Sequence, residues 1–119
     1  MTCSLLHHGH IRLLKKASRY GDVIVALTKD SEIIKHKKFQ SPLKFKHRKE
    51  ILESIRYVSK VIPSKFVISQ KFLEKNRIDY LVHGDDNKNK IDKKYLKILK
   101  RTKNISSTKL RKNKNYFSN

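Results

Sequence analysis

Residues 7–28 read HHGHIRLLKKASRYGDVIVALT, and this stretch decides the fold. From His10 to Tyr20 the apolar residues Ile11 and Leu14, with Leu13, Ala17 and Tyr20 one row over, recur at helical spacing. Gly21 follows where a left-handed helix cap is wanted. Val23-Ile24-Val25-Ala26-Leu27-Thr28 is then continuously apolar and β-branched at its start, which predicts a strand buried on both faces. A helix leading into a doubly buried strand is the unit of a parallel α/β sheet, and the chain repeats it. Residues 31–46, polar and basic with Pro42, predict a loop or short irregular excursion. His47 to Val58 puts Ile51, Leu52, Ile55 and Val58 on one helical face. Val61-Ile62-Pro63 predicts a short strand that Pro63 terminates. Ser69 predicts the cap of a brief helix carrying Phe72 and Leu73 and ending near Asn76. Ile78 to His83 predicts a strand running into Gly84-Asp85-Asp86, and Tyr95 to Leu99 a weaker one. Ser106 or Ser107 predicts the start of a last helix through Lys112. Strands separated by short helices imply βαβ units with right-handed crossovers: an α/β fold, a parallel sheet with flanking helices.

The 119 residues suffice for one domain, 1–119, with a basic tail from about residue 109. Lys and Arg number 30 against 10 Asp and Glu, a formal net charge of +20 that asks for anionic partners. The lysines are nevertheless spread from Lys15 to Lys114, and the densest stretch, 88–114, holds Tyr95 as its one aromatic residue. That offers no stacking platform for bases, so nucleic acid is the disfavoured partner. One cysteine, Cys3, excludes an internal disulfide and a Cys-rich zinc site and suits a reducing cytoplasm. No stretch reaches the roughly 18 consecutive apolar residues of a membrane span.

Three constellations can carry chemistry. His7-His8-Gly9-His10 opens a helix, where unpaired N–H groups and the positive end of the dipole attract phosphate. Gly9 admits a close approach, and the imidazoles can donate to phosphate oxygens. Arg101-Thr102 through Ile105-Ser106-Ser107-Thr108 sets a fork-shaped cation and hydroxyls before another helix start, a second phosphate cradle. Gly84-Asp85-Asp86 follows an apolar strand at the sheet edge where ligands of parallel sheets bind, although taken by itself a polar turn is the stronger reading of it.

Together these segments resemble the cytidylyltransferase family, in particular the bacterial glycerol-3-phosphate and the ethanolamine- or choline-phosphate enzymes. His7-His8-Gly9-His10 matches the HxGH signature. Ile55-Arg56-Tyr57-Val58, Val82-His83-Gly84-Asp85-Asp86 and Arg101-Thr102…Ile105-Ser106-Ser107-Thr108 follow in the family's order. The resemblance implies a Rossmann-like fold and transfer of CMP from CTP to a phosphorylated alcohol, with release of pyrophosphate. It implies catalytic roles for His7, His10, Lys35 and Arg101. Nucleotide contacts fall on Thr2, Cys3, His7, His8, Gly9, His10, Lys37, Asp86, Arg101, Thr102, Ile105, Ser106, Ser107 and Thr108. Substrate contacts fall on Lys35 and Arg56, the latter also at the contact of the homodimer the family usually forms. Mg2+ is implied by the triphosphate.

The chain departs from the pattern at its start. The family's G-T-F-D segment and the strand before it are represented by Met1-Thr2-Cys3-Ser4, where Thr2 matches, Cys3 replaces the aromatic residue and Ser4 the acid. The expectation is a first strand missing or truncated, from an under-called start or a degraded gene. Its central neighbours would then lose ladder bonds at about 1–3 kcal/mol each. Asn104 stands where the family has glycine, a position an asparagine tolerates. Two other readings compete: a basic nucleic-acid-binding module, and a catalytically inactive relative.

Overall fold

A computed structural model describes residues 1–84, 87–100 and 103 of the chain. The first helix, α1 (His8–Ala17), buries Leu14 and Ala17, the inner row of the predicted stripe, and leaves Ile11 at the surface. It ends earlier than the spacing predicts: Ser18–Tyr20 tighten into a 3-10 turn, and Gly21 (φ +145°) closes it in a conformation that side chains rarely adopt. Strand β1 (Ile24–Thr28) follows, with Val25 and Leu27 buried in the core.

The polar stretch predicted as a loop holds a helix, α2 (Asp30–Lys37). Its single buried residue is Ile33, too little apolar pattern to announce a helix. What makes it one is context. Asp30 and Glu32 sit in its first turn and Lys35, His36 and Lys37 in its last, each complementing the dipole, and Lys38 terminates it in the left-handed region (φ +60°). Helix α3 (Phe45–Glu53) is shorter than predicted at its end, and residues 54–58 turn back toward the sheet. Strand β2 (Lys60–Ser64) contains Pro63 rather than stopping before it. Among the described residues β2 pairs only with β1, so Pro63 sits on an edge strand, where a missing N–H is tolerated. Helix α4 (Gln70–Lys75) is capped as expected, the Ser69 hydroxyl accepting the Phe72 N–H at 3.2 Å. Strands β3 (Leu81–Gly84) and β4 (Leu96–Leu99) complete the described elements. The expected last helix, Ser106 to Lys112, lies outside the described residues.

Both strand pairings are parallel: β1 with β2 from Ile24↔Lys60 to Thr28↔Ser64, and β3 with β4 from Leu81↔Leu96 to Gly84↔Leu99. The two pairs form separate two-stranded sheets. No strand precedes α1 among the described residues, as expected, yet Met1 still acts as a ladder rung. Its ammonium donates to the Ala26 carbonyl at 2.7 Å, and its carbonyl accepts the Thr28 N–H at 2.9 Å. Met1 thereby lies parallel beside Leu27. One core cluster joins Cys3, Leu14, Val25, Leu27, Leu52 and Val61, with Val82 packed against it. A second gathers Ile68, Leu73 and Ile91, with Ala26 packed against that. At the far edge Lys97 Nζ lies 5.7 Å from the Tyr20 ring and 5.0 Å from that of Tyr80, tying the end of α1 to the second sheet.

Arg48 of α3 is fully buried, in a row with Leu52. Its Nε donates to the Leu43 carbonyl (3.0 Å), Nη1 to the Thr2 carbonyl (2.6 Å) and Nη2 to Asp30 Oδ1 (2.5 Å). Asp30 in turn accepts the Phe45 N–H with both oxygens, at 3.1 and 3.0 Å. Three segments far apart in sequence therefore meet on one guanidinium. Replacing it strands two carbonyls, so Arg48→Met is expected to lower stability by about 2–5 kcal/mol. Arg48→Lys recovers only part, because an ammonium lacks the planar fork. Urea unfolding of the three proteins measures this, and an Arg48→Met midpoint equal to the parent's would refute it.

Candidate active site

The carboxyl ends of β1 and β2 and the start of α1 lie on one edge of the first sheet. There the Lys29 N–H donates to the Ser64 carbonyl at 3.0 Å, joining the two strand ends. His7 is the N-cap of α1, in extended conformation, and its ring Nδ1 accepts the Gly9 N–H at 3.0 Å. His10 Nδ1 reaches back and accepts the His7 N–H at 3.2 Å. This is a capping box built from two histidines. A ring nitrogen that accepts carries no hydrogen, so the neutral ring of each holds its proton on Nε2. Capping thus leaves both Nε2–H groups as the donors available to a ligand. The ring centroids are 4.0 Å apart and tilted by 38°. His8 is exposed, its ring 6.1 Å from that of His7. Gly9 N–H, expected to meet phosphate directly, is occupied by His7, so imidazoles rather than bare backbone front this helix end.

The electrostatics favour neutral rings. Burial pushes His10 down to about 4, with the charges of His7 and of the Met1 ammonium adding to it. His7 is lowered by burial and then by His8. The Met1 ammonium is itself lowered, by burial first, with Arg48 and Lys37 pushing the same way and Cys3 opposing. Met1, the end of α2 and Arg48 thus bring positive charge to the edge that holds the HxGH turn. An anion placed among them relieves the repulsion.

The other expected residues fall as follows. Thr2 turns its carbonyl to Arg48. The Cys3 side chain is buried among Leu14, Val25 and Leu27, and burial pushes its thiol up to about 12. Contact from Cys3 to a nucleotide is thus left to its backbone. Lys35 and Lys37 are exposed on the last turn of α2, which starts from the carboxyl end of β1. Arg56 lies beyond the end of α3, just before β2, which is the opposite edge of the sheet. There its Nη2 donates to the Tyr57 hydroxyl at 2.8 Å, and the structure does not bring it to the histidines. Asp86, Arg101, Thr102, Ile105, Ser106, Ser107 and Thr108 lie outside the described residues. A hollow of about 390 Å3 lined by Ile78, Asp79, Tyr80, Lys94 and Tyr95 is at the amino ends of β3 and β4, the wrong edge for this chemistry.

Sequence reasoning assigned no role to Arg48 or Asp30, which hold the site together. The signal was present: Arg48 and Leu52 are four apart on one helical row, so a buried Leu52 carries Arg48 inward with it. Ser64 Oγ, buried at the end of β2, is the one buried side-chain oxygen without a hydrogen-bond partner among the described residues.

The sequence matches the Cytidylyltransferase-like family over residues 4–100. The chain belongs to that family. It is accordingly a cytidylyltransferase-like nucleotidyltransferase. The glycerol-3-phosphate cytidylyltransferase of Staphylococcus aureus is 44% identical over 119 residues, covering 92% of this chain and 87% of that protein. The enzyme of the same name from Bacillus subtilis is 39% identical over 117 residues, covering 92% and 89%. An ethanolamine-phosphate cytidylyltransferase of Mus musculus is 35% identical over 86 residues, 69% of this chain and 20% of that one. In three dimensions the chain is similar to a lipopolysaccharide core biosynthesis protein of Thermoplasma volcanium. The TM-score is 0.67 at 18% identity, covering 86% of this chain and 91% of that one, and it speaks for the Rossmann-like fold alone. Among the described residues no helix is long and apolar enough to cross a membrane.

Because the folded chain keeps His10 neutral down to about pH 4 while an unfolded histidine titrates near 6.5, the unfolded state binds more protons in between. Stability is expected to fall as pH drops from about 6.5 to 4, by somewhat less than about 1.4 kcal/mol per unit from this group, since the ring is partly exposed. His10→Asn keeps a capping acceptor without a titrating ring, so its urea midpoint is expected to vary less over that window. Parallel pH profiles of the two proteins would contradict the assignment.

Proposed function

We propose that this chain transfers CMP from CTP to the phosphate of a small phosphorylated alcohol, glycerol 3-phosphate first among them, and releases pyrophosphate. The observation that carries the reading is the histidine capping box, two neutral rings with Nε2–H donors fixed by the helix they cap. An acceptor phosphate oxygen attacks the α-phosphorus of CTP; the bond to the bridging oxygen breaks, and pyrophosphate departs with that electron pair. No covalent intermediate on the protein is needed, so positioning and charge neutralisation supply the catalysis. His7 and His10 donate to the oxygens on which charge grows. Lys35, on the turn above the same edge, brings the acceptor phosphate against its natural repulsion from the triphosphate, and Lys37 beside it bridges to the phosphates of CTP. Arg101, Thr102 and Ser106 to Thr108 take the β and γ phosphates, and Asp86 lies by the nucleoside. The choice of glycerol 3-phosphate rests on relatives similar over nine-tenths of the chain, against the shorter match to an ethanolamine-phosphate enzyme.

Mg2+ enters this reading with the nucleotide. No three His, Cys, Asp or Glu side chains gather into a metal site among the described residues, so phosphate oxygens and water are the ligands assigned to it. By the family resemblance Arg56 belongs to a dimer contact, and a homodimer is the assembly proposed with this reading.

Pyrophosphate release with CTP or ATP against a panel of phosphorylated alcohols tests the assignment. CTP with glycerol 3-phosphate is expected to be the productive pair; turnover with ATP and none with CTP would overturn it. His10→Asn, which keeps the cap, is expected to lose about 10²–10³-fold in kcat. His10→Ala also loses the cap, about 1 kcal/mol of stability. A His10→Asn enzyme with the parental rate would remove His10 from the chemistry. Lys35→Ala is expected to raise the acceptor KM with the circular dichroism spectrum unchanged; an unchanged KM would move that role elsewhere.

A further inference from the structure

Helix α2 is anchored firmly where it begins. Asp30 is held by Arg48 and by the Phe45 N–H, and the Lys29 N–H is held by Ser64. Its other end carries Lys35 and Lys37 on exposed side chains, on a helix with one buried residue. A short helix so placed frays from its free end unless something else holds it.

The loop that leaves β2 supplies that hold. Glu32 Oε1 accepts the Phe66 N–H at 2.9 Å, and this bond is the largest cause holding the Glu32 carboxyl below its ordinary range. The His36 ring stacks on Phe66 at 4.9 Å between centroids, nearly parallel at 12°. His36 Nε2 lies 3.6 Å from Glu32 Oε1, one turn back along the helix. Lys37 Nζ stands over the same Phe66 ring at 5.9 Å. Three contacts, from Glu32, His36 and Lys37 of α2, thus converge on one residue of another segment. Phe66 is half-buried, and Val67 next to it and Ile34 on α2 are largely exposed. An aromatic ring kept at the surface with a histidine lying flat on it contributes little to the core. Its effect is on where the last turn of α2 sits.

We infer that Phe66 and His36 form a latch that positions Lys35 for the phosphate of the acceptor. They are positioning residues, acting through Lys35, and the inference rests on the acceptor role proposed above for that lysine. Glu32 fixes the loop to the helix; the stacked pair fixes the rotation of the last turn; Lys37 is held over the ring rather than free to sweep through solvent. The latch touches neither histidine of the capping box, so its effect falls on the acceptor more than on CTP.

The test compares Phe66→Ala, Phe66→Tyr, His36→Ala and His36→Phe in full-length protein, with KM for glycerol 3-phosphate, KM for CTP and kcat measured separately. Hydrogen exchange is read at the Lys38 amide, which donates to the Ile34 carbonyl at 3.1 Å. Both alanine variants are expected to raise the glycerol 3-phosphate KM about tenfold, with the CTP KM raised clearly less and kcat little changed. They are also expected to speed exchange at Lys38, while Phe66→Tyr and His36→Phe, which keep stacked rings, restore both. Equal losses in both KM values, or no change in either, would overturn the latch. Should the parent enzyme turn over no acceptor at all, the functional reading fails and exchange alone decides. Faster exchange in Phe66→Ala then upholds the latch, and unchanged exchange removes it.

Discussion

A single buried guanidinium sets the geometry on which everything else rests. Arg48 donates to the carbonyls of Thr2 and Leu43 and to Asp30, fixing the N-terminal segment, the loop before α3 and the start of α2 relative to one another. Full burial of a charge is costly unless its donors are satisfied, and here all three nitrogens have acceptors. The consequence is positional: the segment leading into the capping box and the helix carrying Lys35 and Lys37 both hang from one rigid planar group. Apolar packing alone could hold these segments close, but it is non-directional and would leave their orientation loose.

In the proposed mechanism stability and chemistry share the atoms of the capping box. Each imidazole spends Nδ1 on the backbone of α1 and keeps Nε2–H for a ligand. Removing a ring therefore disturbs two things at once, and a substitution must preserve the acceptor before its effect on rate means anything. Partial burial keeps the rings neutral, so they donate through hydrogen bonds while the lysines supply formal charge.

Much of this was legible in the sequence, for physical reasons that differ from element to element. The apolar run at Val23–Thr28 and the helical row Leu14–Ala17 encode burial directly, and the Ser69 cap encodes a hydrogen bond to its own neighbours. The HxGH turn was readable because its capping geometry is local: two rings and a glycine at one helix end. Helix α2 was not readable, since with one buried residue its formation depends on Arg48, Asp30 and Phe66, which only the folded chain brings near. Pro63 misled because an edge strand tolerates what a central strand cannot, and sequence does not say which strand is the edge. Arg48 hid inside the run His47-Arg48-Lys49, where three basic residues suggest a solvated face; its row mate Leu52 shows otherwise. Arg56 was grouped with the site by motif, but the length of α3 carries it to the other edge of the sheet.

The division into two sheet pairs has a mechanical meaning. Within each pair a hydrogen-bond ladder fixes register, because slipping by one residue would turn every side chain to the wrong face. Between the pairs the described contact is side-chain packing, Val82 against the first cluster and Ala26 against the second, with Lys97 lying across Tyr20 and Tyr80 at one edge. Such a seam is held by the fit of side chains and, among the described residues, by no ladder of its own. A ligand gripped from both sides at the carboxyl edge, as the proposed nucleotide would be, then works as a cross-brace, adding directional bonds where the two halves share no ladder.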